Sequence, residues 1–188
     1  MRNLRAAAFP GPIYPVNPSA TTIQSLPAFA SVADIPGSVD LAIIAVPSMH
    51  VLGVAEQSGR KGVHALIVLT AGFGEIGPEG QQRQAELLRI CRSYGMRLVG
   101  PNCIGAINTD PAAPLNATFG PLMPPPGRIG MATQSGAHGL ELPSLSEATQ
   151  ARLRELLPAE AAVANPVVLK PCGTSAPSAK KSPHSWAG

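Results

Sequence analysis

Short, almost wholly apolar runs recur along the chain, each ending in small and polar residues. Asp40 to Val46 ends at Pro47-Ser48, Ala65 to Leu69 at Thr70-Ala71-Gly72, Met96 to Val99 at Gly100-Pro101-Asn102-Cys103, and Ile129 to Thr133 at Gln134-Ser135-Gly136. Leu41 to Val46 is apolar at nearly every position, the pattern of a strand buried on both faces. The segments between the runs have helical spacing. Val51, Val54 and Ala55 mark one, closed by Gly62, and Pro78 to Tyr94 is the clearest, with Ala85, Leu87, Leu88, Cys91 and Tyr94 at helical intervals and Gly95 as its stop. Strand–helix–strand units of this length predict an α/β fold with parallel strands and crossover helices. In such a sheet the strand ends face one crevice, where ligands bind.

The flanks are less regular. Met1 to Phe9 reads as the back half of a helix, packing through Leu4 and Ala6 to Ala8 and stopping at Gly11, with Pro12 to Val16 as a short strand broken by Asn17-Pro18-Ser19. Pro27 to Val32 reads as a short helix or an edge segment, and Ile35-Pro36-Gly37 as a turn. Pro124-Pro125-Pro126-Gly127 leads into a strand, Arg128 to Thr133. Leu145 to Leu157 is an isolated helix with Ser146 as its cap, and beyond Pro166 the Pro-, Ser-, Ala- and Lys-rich tail is expected to be disordered.

Composition narrows the class. With 4% aromatic and 13% charged residues, the core must rest on Val, Ile, Leu and Ala. The net charge of +3 is small and no basic block interleaves with aromatics, so nucleic-acid binding has no support. No run approaches a membrane span, and the three cysteines, Cys91, Cys103 and Cys172, have no metal spacing. The expectation is a cytoplasmic protein without a metal.

Each strand-end turn has two readings. Gly100-Pro101-Asn102-Cys103 either meets a ligand, with Asn102 donating and accepting hydrogen bonds, or merely needs the backbone freedom of Gly and Asn; spacing alone leaves both open. Thr70-Ala71-Gly72 is small enough for close approach of a ligand to the backbone. Pro47-Ser48 reads the same way, unless Ser48 simply caps the next helix. Gln134-Ser135-Gly136 suits a phosphate nest. Asn17 stands where a dinucleotide fold places an acid, and no Gly-x-Gly-x-x-Gly turn is present, which argues against an NAD enzyme. His50 and His64 have no Asp or Ser at catalytic spacing, and no histidine is placed to activate Cys103, so no catalytic residue is assigned.

Six stretches in order carry a resemblance: Pro15 to Pro18, Asp40 to Pro47, Gly72 to Gly80, Arg97 to Gly105, Asn116 to Phe119 and Gln134 to Ala137. Together they resemble the CoA-binding domain of NDP-forming acyl-CoA synthetases, the group of the succinyl-CoA synthetase α subunit and of bacterial fused acetate–CoA ligase and protein-lysine acetyltransferase proteins. The resemblance implies a Rossmann-like parallel sheet with helices on both faces over residues 1–140, here entered inside its first helix, without the first strand and its Gly-rich turn. It implies a remnant at 141–168 of the following flavodoxin-like domain, then a disordered tail at 169–188, so the chain reads as truncated and internally deleted. The family's phosphohistidine and ATP-grasp regions have no counterpart here.

The resemblance implies weak coenzyme A or acyl-CoA binding by Asn17, Pro18, Pro47, Ser48, Thr70, Ala71, Gly72, Gly100, Pro101, Asn102 and Cys103, in a fragment not catalytic alone. The rival is a non-catalytic interaction or regulatory remnant that associates with an ATP-grasp or full-length synthetase chain through unpaired strand edges.

Overall fold

The computed structural model describes residues 1–120 and 123–126. The expected strand Arg128 to Thr133, the Gln134-Ser135-Gly136 nest, the helix Leu145 to Leu157, the tail and the boundaries at 140 and 168 lie outside these residues.

The first helix, α1 (Arg2–Ala6), buries Leu4. It stops well before Gly11. Ala8 turns left-handed (φ 53°), its amide donates to Arg5 O and that of Phe9 to Leu4 O, the paired bonds of a Schellman stop. Ala6 and Ala8 are exposed and Ala7 is half-buried, so Leu4 is the buried residue of the expected packing side. The expected strand at 12–16 shrinks to one bridge, Val16 to Phe29. Pro12 and Pro15 have no amide to give a ladder. A short hairpin follows, β1 (Thr22–Ile23) and β2 (Leu26–Pro27), turning through Gln24 and Ser25 at φ 49° and 65°. Positive φ at both positions matches the twist of a two-residue hairpin loop. The expected helix or edge at Pro27 to Val32 resolves into the end of β2 and a 3-10 turn, Val32–Asp34, boxed by Ser31 and Asp34.

The crossover pattern appears where the sequence predicts it. β3 (Leu41–Ile44) leads into α2 (Ser48–Lys61), which ends at left-handed Gly62. β4 (Ala65–Val68), α3 (Pro78–Ser93) and β5 (Arg97–Val99) complete a parallel sheet in the order β3-β4-β5, with Leu41 opposite Ala65 and Ala65 opposite Arg97. Alternate residues of each strand enter different layers. Ile44, Leu66 and Val68 pack with Val51 and Ala55 of α2 and Leu87, Ile90 and Cys91 of α3. Leu41, Ile43, Ile67 and Val99 face Leu4 and Ala117 on the other side. Both faces of β4 are covered, but β3, at the end of the sheet, is buried only at Ile44 and half-buried at Leu41, Ala42 and Ile43, less than its apolar run predicts. Full burial of a side chain such as Leu87 is worth about 1.5–3 kcal/mol.

The second face is covered by α1 together with an antiparallel ribbon, β6 (Gly105–Asn108) and β7 (Leu115–Thr118), that the periodicity did not reveal. Asn3 ties the two, donating from Nδ2 to Thr118 O at 2.8 Å and Gly120 O at 2.6 Å. In α3 the buried positions are Gly80, Leu87, Ile90 and Cys91. Ala85, Leu88 and Tyr94, read as packing positions, are exposed.

Candidate functional site

Because β3, β4 and β5 are parallel, their carboxyl ends emerge at one edge of the sheet. The turns that follow are bonded to one another. Leu69 N donates to Ile44 O at 2.9 Å, and Thr70 Oγ1 donates to Val46 O at 2.7 Å, so the ends of β3 and β4 run on together past the ladder. Asn102 N donates to Thr70 O at 3.0 Å, and the Cys103 thiol donates to Val68 O at 3.4 Å, which joins the end of β5. A Cβ placed on Gly72 would meet Cβ and Oγ of Ser48 at 3.0 Å. Pro47-Ser48, Thr70-Ala71-Gly72 and Gly100-Pro101-Asn102-Cys103 thus form one rim.

Within the rim the residue types match their backbone. Gly100 has φ 93°, and a Cβ there would lie 2.4 Å from Val68 O. Asn102 is left-handed (φ 53°), a conformation asparagine tolerates, and is exposed. Its side-chain amide has no hydrogen bond among the described residues. Ser48 is not a cap: Pro47 holds that position and the Ser48 side chain makes no capping bond. Cys103 packs against the cluster of Leu4, Ile67 and Ala117, where burial pushes its thiol pKa up. A raised pKa disfavours the thiolate, and with it any nucleophilic role.

Three side chains lie behind the rim: Glu75, which the sequence reads with Glu79 only as a solvated acid near a helix start, and Arg83 and Gln84, which do not stand out in it. Glu75 Oε1 accepts the Gly72 amide at 2.5 Å, which holds its carboxyl below the usual range. Arg83 Nη1 donates to Gly72 O at 2.5 Å, and Gln84 Oε1 accepts from Gly74 N at 3.1 Å. The one available signal was the spacing of Glu79 and Arg83, an i,i+4 pair in the opening turns of a helix.

Other expected residues stand apart. Asn17 Oδ1 accepts from the amides of Ser19 and Ala20, both at 2.9 Å, and neither Asn17 nor Pro18 is hydrogen-bonded to the three turns. His64 does have an acidic neighbour, Asp40 at 3.3 Å, but both are exposed and precede β4 and β3, at the opposite edge of the sheet. Among the described residues no three His, Cys, Asp or Glu side chains converge on a metal position, and no helix is long and apolar enough to cross a membrane.

Comparison with known proteins gives the family of the chain. An Acetate--CoA ligase [ADP-forming] I of Archaeoglobus fulgidus is 47% identical over 137 residues, covering 73% of this chain and 19% of that protein. The Acetate--CoA ligase [ADP-forming] II subunit alpha of Pyrococcus furiosus is 46% identical, covering 69% of this chain and 28% of the subunit. A solved dinucleotide forming acetyl-coenzyme A synthetase of Ca. Korarchaeum cryptofilum, in complex with phosphate and ADP, shares 40% identity at a TM-score of 0.64 and covers 76% of this chain and 30% of its own. A solved protein of Pyrococcus horikoshii OT3 reaches a TM-score of 0.71 at 42% identity, over 76% of this chain and 32% of its own. The chain thus spans less than a third of these relatives, two of which are ADP-forming acetate–CoA ligases or their subunits. Residues 1–109 match the family described as CoA binding domain, and the chain belongs to that family.

Proposed function

We propose that the strand-end rim binds coenzyme A or acyl-CoA, serving as the CoA-holding part of an acid–thiol ligase that forms acyl-CoA with release of ADP. The observation that carries this reading is the bonding of three strand-end turns into one rim within a chain of the CoA binding domain family. The residues present fit the ligand. Ser48, Thr70, Ala71 and Gly72 are small enough for a long, narrow arm to lie against the backbone, and Asn102 offers an uncommitted amide to its polar groups. The amide end of α2 at Ser48 and Met49 suits a phosphate. Asn17 and Pro18 would contribute an outer contact, and Gln134, Ser135 and Gly136 a phosphate nest.

Catalysis by this chain alone is not part of the proposal. Among the described residues no histidine belongs to the rim, and burial raises the pKa of the Cys103 thiol, which disfavours the thiolate. Titration calorimetry of the full chain with CoA tests the reading. Binding that weakens in Asn102→Ala supports it; no heat at millimolar CoA removes it.

A second reading rests on β3. It ends the sheet order, and its outer edge pairs with no strand among the described residues. An apolar strand with an open edge can accept a strand from another chain. Association with a synthetase chain would follow, and co-purification that persists after the rim is mutated would favour it over the CoA reading.

A further inference from the structure

The connection from β4 to α3 forms one wall of the rim, and side chains of α3 hold it. Arg83 Nη1 donates to Gly72 O at 2.5 Å and Arg83 Nη2 to Glu79 Oε1 at 2.7 Å. Glu75 takes the Gly72 amide, so both polar backbone groups of Gly72 are committed. Gln84 takes the Gly74 amide two residues further on. Gly80 allows this closeness, since a Cβ there would lie 1.7 Å from Phe73 O. On its other side Gly72, at φ 96°, abuts Ser48.

Arg83 is a cation beside a site read as anion-binding, and the ready interpretation is a phosphate ligand. Its surroundings say otherwise. The side chain is only 20% exposed, against 80% for its partner Glu79. Both terminal nitrogens are engaged, and a ligand that drew them away would strip Gly72 O of its donor and separate an ion pair.

We propose that Arg83 is a positioning residue: it acts on the ligand through Gly72, by holding the Thr70–Phe73 segment against Ser48, and does not touch the ligand itself. This inference rests on the CoA reading of the rim. Lysine cannot replace it fully, because one ammonium does not reproduce the planar fork that meets two acceptors at once.

The test pairs hydrogen exchange with CoA calorimetry on the full chain, comparing wild type with Arg83→Ala and Arg83→Lys. In Arg83→Ala, exchange over residues 70–76 should rise while α2 keeps wild-type protection. CoA affinity should fall about tenfold, the scale of one charge-assisted hydrogen bond. Arg83→Lys should lie between on both readouts, and it carries the comparison if the alanine variant does not fold. Weaker CoA binding with unchanged loop exchange would overturn the proposal, since Arg83 would then be a direct ligand. Faster loop exchange with unchanged affinity would overturn it too, as would a rise of equal size across α2. If wild type itself takes up no CoA, the rim reading fails separately, and loop exchange alone decides whether Arg83 clamps Gly72.

Discussion

The hydroxyl of Thr70 donates to the carbonyl of Val46 at 2.7 Å, joining two neighbouring strands just beyond the last pair of their ladder. The bond makes the ends of β3 and β4 one wall instead of two loose loops. Thr70→Val keeps the shape and β-branching but leaves Val46 O without that donor. The expected loss is about 0.5–1.5 kcal/mol of stability by urea unfolding, with a weaker CoA response in calorimetry. Unchanged CoA binding at reduced stability would make the bond a matter of fold alone.

Gly100 and Gly62 both have positive φ, at 93° and 82°, but only Gly100 is crowded. A Cβ on Gly62 meets nothing within 4 Å, whereas one on Gly100 would lie 2.4 Å from Val68 O. Gly62→Ala should cost about 1–2 kcal/mol, the left-handed penalty by itself. Gly100→Ala should cost clearly more, because either Val68 or the turn must move. Equal melting points for the two variants would contradict this placement of the turn.

Glu75 supplies a pH signature. Its carboxylate accepts the Gly72 amide, which lowers its pKa in the folded chain. A group whose pKa is depressed on folding contributes stability above its unfolded pKa, near 4.3, and loses it as pH falls through the folded value. Stability should therefore decline with acid below about pH 4.3 more steeply in wild type than in Glu75→Gln, which keeps an acceptor for Gly72 but does not titrate. Parallel acid-unfolding curves would mean that the contact is absent in solution.

The phase of α3 is open to a simple comparison. Leu87 is fully buried between the sheet and α2, while Leu88 is 37% exposed. Leu87→Ala should cost about 2–5 kcal/mol, and Leu88→Ala should stay within about 0.5 kcal/mol of wild type. A reversed ranking would mean that the helix is rotated.

The sequence expressed some of this architecture directly. Where burial alone determined the element, as in the apolar runs of β3, β4 and β5 and in Val51 and Ala55 of α2, strands and helices lie where periodicity places them. Gly62, Gly95 and Asn102 announce left-handed backbone because few residues adopt it. Other features depended on partners distant in sequence. β6 and β7 are only four residues each, and Gly105 to Asn108 carries no long alternation from which to read a ribbon. The helical period of α3 was clear, but Leu88 and Tyr94 look as apolar as Ile90; only packing against α2 and the sheet decides which are covered. Arg83 and Glu79 have only the spacing of a common i,i+4 pair, and nothing in that spacing says that Gly72 O meets the guanidinium. The rim was therefore visible as residue types, while its support was visible only in three dimensions.

Calorimetric titration of CoA into the full chain, with Asn102→Ala alongside, tests the central claim most directly. Saturable binding that weakens several-fold in the variant, with no loss of folding by circular dichroism, is the expected result. Absence of any binding at millimolar CoA to a folded wild-type chain, or binding indifferent to Asn102, Thr70 and Ser48 alike, would contradict the assignment of the strand-end rim as the CoA site.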